Sequence, residues 1–367
     1  MMSDGELALL VDTVESLLER YCDPDALAEA EREGFAPRLW AELSGAGLAA
    51  ISVPEAIGGS GGTESAALAV LRLAGRYGAP VPLAEHGLLG GWLAAAIERP
   101  LPEGPASVVP GHPADDLRLE RSGNVWRLSG EAHAVPWGRM TEVTFALLVA
   151  DERTFVVELP RDRGEVTHLR GLSGEPRDTM AFAAVELADA AVVEAPEGVD
   201  RHALMVRGAL CRAVQMAGAM EYVSELTSAY ARDRVQFGRP IARFQAIQHH
   251  LVVIAEEAAV AGIAADLASR RFAEAGGWVE VAAAKVLAGT AADVVTARAH
   301  QVHGAIGMTA EYRLHHWTRR LWTWRDEFVG HRGWSSALGR EVIDRGADEL
   351  WGFVCGEATA TSAPILA

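Results

Sequence analysis

The sequence predicts an α+β multidomain protein in three parts. These are an N-terminal helical domain (residues 1–100), a middle antiparallel β domain (101–200) and a C-terminal four-helix bundle (201–367). Three observations lead to this order. Apolar residues first recur at helical spacing, prolines and short β-branched runs then replace that pattern, and long helical periodicity returns from about residue 201.

The N-terminal part is predicted to be helical because its apolar residues recur every three or four positions. In residues 5–21, for example, Leu7, Val14 and Leu18 fall on one face of a helix. The same spacing predicts three further helices, at 37–46, 64–77 and 87–97. The glycine-rich run 54–62 predicts a loop.

The middle part is predicted to consist of strands. Five prolines between residues 100 and 113 exclude a long helix there. Short runs rich in β-branched residues follow, separated by turn signals, at 125–128, 143–149 and 154–159. Such runs are typical of antiparallel strands.

The C-terminal part is predicted to be a bundle, because four long helices bury their apolar faces best against one another. The helical segments lie at 203–232, 241–275, 278–303, 310–324 and 332–350. Glycine and proline interrupt them at 238–240, 276–277 and 304–307. The last dozen residues, rich in Ala, Thr and Ser, are predicted to form a loose tail.

Composition narrows the class of protein. The formal net charge of −17 argues against nucleic acid and anionic membranes as the main partner. The chain has no apolar run of transmembrane length and no signal-peptide pattern. Its three cysteines, Cys22, Cys211 and Cys355, are widely spaced, which indicates a reducing cytoplasm and no metal site. Only Lys285 among the 33 basic residues is a lysine.

Two short segments in the C-terminal part carry the strongest functional signal. The first, residues 234–245, contains Arg234, Phe237 and Gln245 around a predicted helix corner. The second, residues 301–307, begins with Gln301 and contains Gly304. A guanidinium can bind a pyrophosphate with two hydrogen bonds, an amide can add another, and glycine lets the backbone approach closely. Together they predict a site for a nucleotide pyrophosphate.

Both segments resemble the C-terminal signature of the acyl-CoA dehydrogenase family, and the predicted order of parts resembles that family's fold. The resemblance implies that Arg234, Phe237, Gln245, Gln301, Gly304 and Ala305 contact the adenosine-diphosphate half of FAD, with Ala305 standing where the family has a second glycine. In the family these residues reach the FAD of a neighbouring subunit. The resemblance therefore implies an oligomer, expected to be a tetramer, that acts on an acyl-CoA and passes electrons to an electron-transfer flavoprotein. It also implies a structural role for Lys285.

The middle part departs from the family pattern in the segments that line the flavin ring. The family's Thr-Glu-Pro…Gly-Ser-Asp segment is missing before Trp126. Ala134, Val135 and Pro136 stand where the family has Trp-Ile-Thr. Because proline has no backbone N–H, Pro136 cannot donate a hydrogen bond there.

The catalytic base is also out of register. The chemistry needs a carboxylate that removes a weakly acidic α-proton while the β-hydrogen leaves as hydride. The family's usual base aligns with Phe328, one residue after Glu327, and the second family location for a base is Gln236. Glu327 is therefore the candidate base, if the loop shifts by one residue. It ranks ahead of His303 and His331, and a solvated acid in the run Arg325-Asp-Glu is at least as good an interpretation of it.

Two principal interpretations stay open. The chain is either a self-sufficient FAD-dependent acyl-CoA dehydrogenase that uses Glu327, or the base-deficient partner of a paralogous subunit. The second arrangement resembles the bacterial heteromers that act on steroid side-chain CoA thioesters. A third, less favoured interpretation is a flavin oxidase or monooxygenase of the same fold.

Overall fold

The computed structural model describes residues 4–123, 125–275 and 277–354. The described residues group into two compact units. The first contains residues 4–74 and 79–208, and the second contains residues 75–78 and 209–354. The division falls inside two of the helices.

The first unit begins with a group of short helices. They are α1 (Asp4–Tyr21), α2 (Pro24–Glu33), α3 (Pro37–Gly45), α4 (Glu64–Tyr77), a π-helix (Ala84–Gly90) and α5 (Gly91–Ala96). Helix α2 was not predicted, because it is short and mostly polar, with only Leu27 and Ala30 of its ten residues buried. Its ends carry local signals: the Asp23 carboxylate accepts the Ala26 N–H at 2.8 Å, and Gly34 follows in the left-handed region with φ +86°.

Eight strands follow among the described residues of this unit, in two sheets. They are β1 (Ala106–Val108), β2 (Arg118–Ser122), β3 (Val125–Pro136), β4 (Val143–Ala150), β5 (Arg153–Leu159), β6 (Glu165–Thr167), β7 (Arg177–Leu187) and β8 (Val192–Glu194). The sheets have the orders β1-β4-β5-β8 and β2-β3-β7-β6. Pairing is antiparallel except between β1 and β4, which are parallel.

The two sheets share one apolar core. Leu128 and Val135 of β3 and Val157 of β5 are fully buried in it. Trp126 and Phe155 bring the sheets together, with ring centroids 5.0 Å apart. Strand β3 is long and irregular, with register shifts against β7 between Leu128 and Gly130 and between Ala132 and Val135.

The second unit is helical. Its elements are α6 (Arg201–Asp233, which starts in the first unit), β9 (Val235–Gln236), β10 (Arg239–Pro240), α7 (Gln245–Ala275), α8 (Trp278–His303), α9 (Leu314–Asp326), α10 (Gly330–Arg345) and α11 (Leu350–Val354). Helix α8 contacts α7, α9 and α10. Its alanines are buried on several sides, for example Ala284, Ala288 and Ala292, so that neighbouring helices can approach closely.

The predicted order of a helical region, a β region and a second helical region is confirmed. Several predicted helices agree closely with the structure, among them 64–77 and 278–303. Within the described residues, no helix combines the length and the apolar character needed to cross a membrane. The predicted tail after residue 355 lies outside the described residues.

Lys285 lies in the middle of α8 and is fully buried. Its ammonium donates hydrogen bonds to the backbone carbonyls of Trp324 and, at 3.2 Å, of Arg325 in the last turn of α9. Burial lowers the pKa of Lys285 to about 7, and the nearby Glu327 carboxylate opposes that shift. Lys285 therefore ties the end of α9 to the middle of α8.

The free energy of unfolding should depend on pH through this lysine. The pKa of Lys285 is about 7 in the folded chain and has its ordinary value of 10.5 in the unfolded chain, so the unfolded chain binds more protons between these values. Stability conferred by Lys285 should therefore rise with pH above 7. The free energy of unfolding of the wild type, relative to that of Lys285→Met, should increase by about 1–3 kcal/mol from pH 7 to pH 9. Urea unfolding followed by circular dichroism measures it.

The matched control is Arg270→Met, which removes an exposed cation from α7. The free energy of unfolding of this variant should differ from that of the wild type by the same amount at pH 7 and at pH 9. A pH-independent difference for Lys285→Met would show that the buried ammonium does not titrate as described.

Candidate functional site

The first segment forms a tight corner between two long helices. Helix α6 ends at Asp233, within one residue of the predicted end at 232. Strands β9 and β10 then pair as a hairpin whose two-residue loop is Phe237 and Gly238. Both tip residues have positive φ, +51° and +75°. That combination is typical of a type I′ turn. After the short 3₁₀ turn Ile241–Arg243, helix α7 begins at Gln245.

The structure brings the second segment against this corner. Val302, next to Gln301, packs in one apolar cluster with Ala231 at the end of α6 and Ile241 after the hairpin. Tyr230 reinforces the contact: its hydroxyl donates to the His303 carbonyl at 3.3 Å, and its ring stacks on the His303 ring at 4.4 Å. The two predicted segments therefore form one surface.

This surface presents polar side chains to solvent. Arg234, Gln245 and Gln301 are all exposed. Within the described residues, none of these three side chains has a hydrogen-bond or ion-pair partner. A guanidinium and two amides that are left unpaired by the fold can bind an external anion without breaking internal contacts.

Gly304 gives access to the backbone beside them. Its φ of +64° and ψ of −142° lie in a region that is nearly exclusive to glycine. A Cβ built on Gly304 would meet no atom within 4 Å, so the space above it is open. Ala305 follows and is also exposed. The small residues thus leave room for a ligand against the main chain.

Phe237 is the most exposed aromatic feature of the corner. Its side chain is 92% exposed, which is unusual for a large apolar residue. The ring lies edge-on to Phe244 at 6.0 Å, and the Arg239 guanidinium lies over Phe244 at 4.3 Å. An exposed apolar group beside unpaired polar groups is typical of an interaction surface.

The candidate base, Glu327, lies between α9 and α10. Its carboxylate accepts a hydrogen bond from Arg212 Nε at 2.6 Å, and Arg212 also donates to Gln215 Oε1 at 2.6 Å. Arg212 is 1% exposed and the Glu327 side chain 17%. Protonation of Glu327 would remove the negative charge that balances this buried guanidinium.

The next residue, Phe328, turns inward. Its ring is 3% exposed and lies 5.5 Å from the Arg212 guanidinium carbon. Phe328, Val329 and Gly330 all have positive φ, +50°, +76° and +65°. Such a run is costly for the first two residues, and the Trp334 indole helps hold it by donating to the Phe328 carbonyl at 2.8 Å.

The two histidines considered as alternative bases have different surroundings. His303 Nδ1 donates to the Ala299 carbonyl at 2.8 Å, and the His303 ring stacks on Tyr230. His331 packs its Cβ against Gly289. Burial lowers the pKa of both histidines. The structure thus places His303 in the corner and His331 beside the Glu327 turn.

The segment that aligns with the flavin-ring contacts is occupied by internal packing. Val135, Pro136, Trp137 and Gly138 are all buried. The Pro136 carbonyl accepts the Ser107 hydroxyl at 2.5 Å, and the Trp137 N–H donates to Pro176 at 3.0 Å. These backbone groups are therefore used inside the first unit.

Sequence reasoning missed Arg212 and Tyr230. Arg212 is 115 positions away from Glu327 in the chain. The available signal was that Arg212 stands between apolar residues of α6, Ala209 to Cys211 before it and Ala213 and Val214 after it, which indicates a buried charge that needs a partner. Tyr230 gave no signal, because an aromatic residue near a helix end is common.

Comparison with known proteins identifies the family. The models described as "Acyl-CoA dehydrogenase, N-terminal domain" and "Acyl-CoA dehydrogenase, C-terminal domain" match residues 4–97 and 200–324. The chain belongs to the acyl-CoA dehydrogenase family. The members of this family are oxidoreductases, and they generally bind FAD.

Individual relatives support the same conclusion. The chain is 29% identical to acyl-CoA dehydrogenase IpdE2 of Mycolicibacterium smegmatis over 320 residues, which are 86% of this chain and 92% of IpdE2. It resembles a chain of the ChsE4-ChsE5 complex from Mycobacterium tuberculosis with a TM-score of 0.84 and 23% identity, over 95% of this chain and 99% of that one. It also resembles a variant of the Tcur3481-Tcur3483 steroid ACAD, with a TM-score of 0.84 and 23% identity, over 94% of this chain and 99% of that one. These two structural likenesses show the fold.

The conformation of Gly304 can be tested by adding one methyl group. Gly304→Ala should lower the free energy of unfolding by about 1–3 kcal/mol, because alanine is strained at this φ and ψ. Gly339→Ala in α10 is the matched control, since its Cβ would also meet nothing within 4 Å. That variant should be unchanged or up to about 1 kcal/mol more stable. Urea unfolding measures both, and equal stability of the two variants would contradict the assigned conformation.

Proposed function

We propose that the chain is one subunit of an FAD-dependent acyl-CoA dehydrogenase, which removes hydrogen from the α and β carbons of a CoA thioester. In this proposal it is the base-deficient partner of a heteromer that acts on a bulky, steroid-type acyl-CoA. The observation that carries the proposal is the buried Phe328, an apolar side chain at the position where the family's base is expected. A phenyl ring cannot accept the α-proton.

The corner fits the adenosine-diphosphate half of FAD. Arg234 would bind pyrophosphate oxygens through charge-assisted hydrogen bonds, and the Gln245 and Gln301 amides would add neutral ones. The open backbone at Gly304 and Ala305 would allow close approach. When bound, FAD accepts the hydride that leaves the β carbon. The contribution of this chain is to position the nucleotide and to neutralise its charge.

The same chain offers little to the flavin ring. The segment from Val135 to Gly138 is buried, and its described hydrogen bonds are internal. We therefore assign the ring contacts and the catalytic base to a paralogous subunit. The ChsE4-ChsE5 structure, which is a complex of two different proteins, gives a precedent on the same fold.

An exposed stripe on α7 supports association with a partner. Residues at three- and four-residue spacing form one exposed helix face: Gln245, His249, Val252, Glu256, Val260, Ile263 and Leu267. Four of them are large apolar residues, and Ile263 is 70% exposed. Because Gln245 lies on this face, a subunit that covers the stripe would lie close to the FAD-binding corner. We propose a tetramer that transfers its electrons to an electron-transfer flavoprotein.

The proposed compartment is the cytoplasm. The three cysteines are far apart in the chain and form no CxxC pair, which supports a reducing environment.

The alternative is a self-sufficient homo-oligomer that uses Glu327 as the base. One observation favours it: the Glu327 side chain is 17% exposed and therefore accessible. The ion pair with Arg212 opposes it, because a base must accept a proton and this carboxylate balances a buried cation.

Expression with and without a partner distinguishes the two functions. The purified chain should be colourless and inactive when expressed alone. It should become yellow, with flavin absorption, when co-expressed with a paralogue that carries glutamate in register with Phe328. In that complex, Glu327→Gln should lower stability, because Arg212 loses its counter-charge, but the folded complex should keep kcat within about twofold. Glutamine at the paralogue's base should instead lower kcat by about 10²-fold or more.

The contrary result is equally clear. A yellow oligomer of this chain alone that reduces an electron acceptor with acyl-CoA would exclude the heteromer. A large loss of its kcat on Glu327→Gln would then identify Glu327 as the base.

Removal of the Arg234 charge tests the FAD assignment separately. Arg234→Met should lower the affinity of the complex for FAD by about tenfold or more, because a charge-assisted hydrogen bond to pyrophosphate is lost. Arg232→Met removes an exposed charge two residues earlier and is the control, with an expected change below about twofold. Fluorescence titration of the FAD-stripped complex measures both. Equal affinities for the two variants would contradict the assignment.

A further inference from the structure

A cleft in the first unit has no role in the proposed function. Its volume is about 750 Å³, and it is lined by parts of α3, the glycine-rich loop, the π-helix and residues 100–103. This volume is within the range of small-molecule pockets in proteins, about 300–1,000 Å³. The π-helix is itself notable, because this rare element occurs frequently at functional sites.

One wall carries a buried hydrogen-bond donor, His86. The side chain is 3% exposed, and its Nδ1 accepts the backbone N–H of Ala106 at 3.1 Å. In the neutral ring, Nε2 therefore carries the proton. Within the described part of the chain, Nε2 has no hydrogen-bond partner. This atom keeps some accessible surface, and His86 lines the cleft, so a molecule in the cleft can reach it.

Trp40 supplies a second donor to the same cleft. It is 7% exposed, and its ring meets the His86 ring edge-on, with centroids 4.9 Å apart. Its indole N–H also has no hydrogen-bond acceptor among the described residues. Neither donor is one of the sealed, unsatisfied polar atoms of the described structure, so both are reachable from the cleft and water can accept from them. A ligand that displaces this water must bring its own acceptor, because otherwise both hydrogen bonds are lost.

The charges around the cleft restrict that ligand. Among the described residues that line it, Glu103 is the one charged side chain, and it repels anions. Burial lowers the pKa of His86 to about 4, so the imidazole is neutral at pH 7 and gives no cation to attract them. Much of the remaining wall is apolar, including Ala49, Ala50 and Leu101. These features disfavour the polyanionic CoA moiety and FAD.

We propose that this cleft binds an uncharged organic molecule through a carbonyl oxygen that accepts hydrogen bonds from His86 and Trp40. The apolar remainder of the molecule packs against Ala49, Ala50 and Leu101. The site goes beyond the proposed function, because it needs neither FAD nor a partner subunit.

Acetophenone, a small uncharged ketone, is a suitable probe, and the full-length chain labelled with ¹⁵N-histidine is the target. Addition of acetophenone should shift the His86 Nε2 resonance, which is assigned by its loss in His86→Gln. Ethylbenzene has a similar frame without the oxygen and should bind at least about tenfold more weakly. Benzoate, which carries a negative charge, should cause no shift.

Two variants and one control variant locate the binding. Trp40→Phe removes only the indole donor and its fused ring, and should weaken acetophenone binding by about tenfold. Ala56→Trp adds bulk at an exposed lining position and should abolish binding without changing the core. Trp92→Phe makes the same aromatic exchange outside the lining and should bind acetophenone like the wild type.

Three results would overturn the proposal. They are an unshifted His86 signal at millimolar acetophenone, equal binding of ethylbenzene and acetophenone, and undiminished binding by the folded Ala56→Trp chain. Because none of these measurements uses FAD, acyl-CoA or a partner subunit, they do not depend on the proposed dehydrogenase function.

Discussion

The buried ion pair between Arg212 and Glu327 is the constraint on which the arrangement of the second unit depends. A guanidinium that is 1% exposed cannot be left without a counter-charge, and removing one partner of such a pair costs about 3–5 kcal/mol. The pair joins the middle of α6 to the turn between α9 and α10. Lys285 holds the same turn from α8 through the carbonyls of Trp324 and Arg325. With both attachments in place, Phe328 packs inside and the backbone adopts three successive positive φ values.

This constraint is in keeping with the proposed function, in which the chain would hold a nucleotide and leave the catalytic base to a partner. The Glu327 carboxylate forms an internal ion pair with Arg212. The Arg234 guanidinium, in contrast, has no ion-pair partner in the described part of the fold. In a chain with a formal charge of −17, an exposed and unpaired arginine beside two free amides is a local exception to the overall field. The corner is therefore suited to an anionic ligand, and the turn is suited to stability.

The sequence predicted the regular elements well where periodicity was strong. The helices at 64–77 and 278–303 and the strand at 154–159 lie where apolar spacing placed them. Periodicity failed for α2, which buries only two side chains, and it gave no sign of the hairpin that β9 and β10 form at the corner. A type I′ turn with phenylalanine at positive φ goes against local preference, so only surrounding contacts can specify it.

The sequence by itself determined the family, the order of helical and β regions, and the residue types available for a pyrophosphate. These follow from local patterns and from motifs that are short in the chain. The tertiary structure decided which groups meet: it joined the two segments through Val302 and Ile241, paired Glu327 with Arg212, and buried Phe328 and Pro136. Contacts of this kind depend on packing between residues far apart in the chain, and no spacing rule along one sequence encodes them.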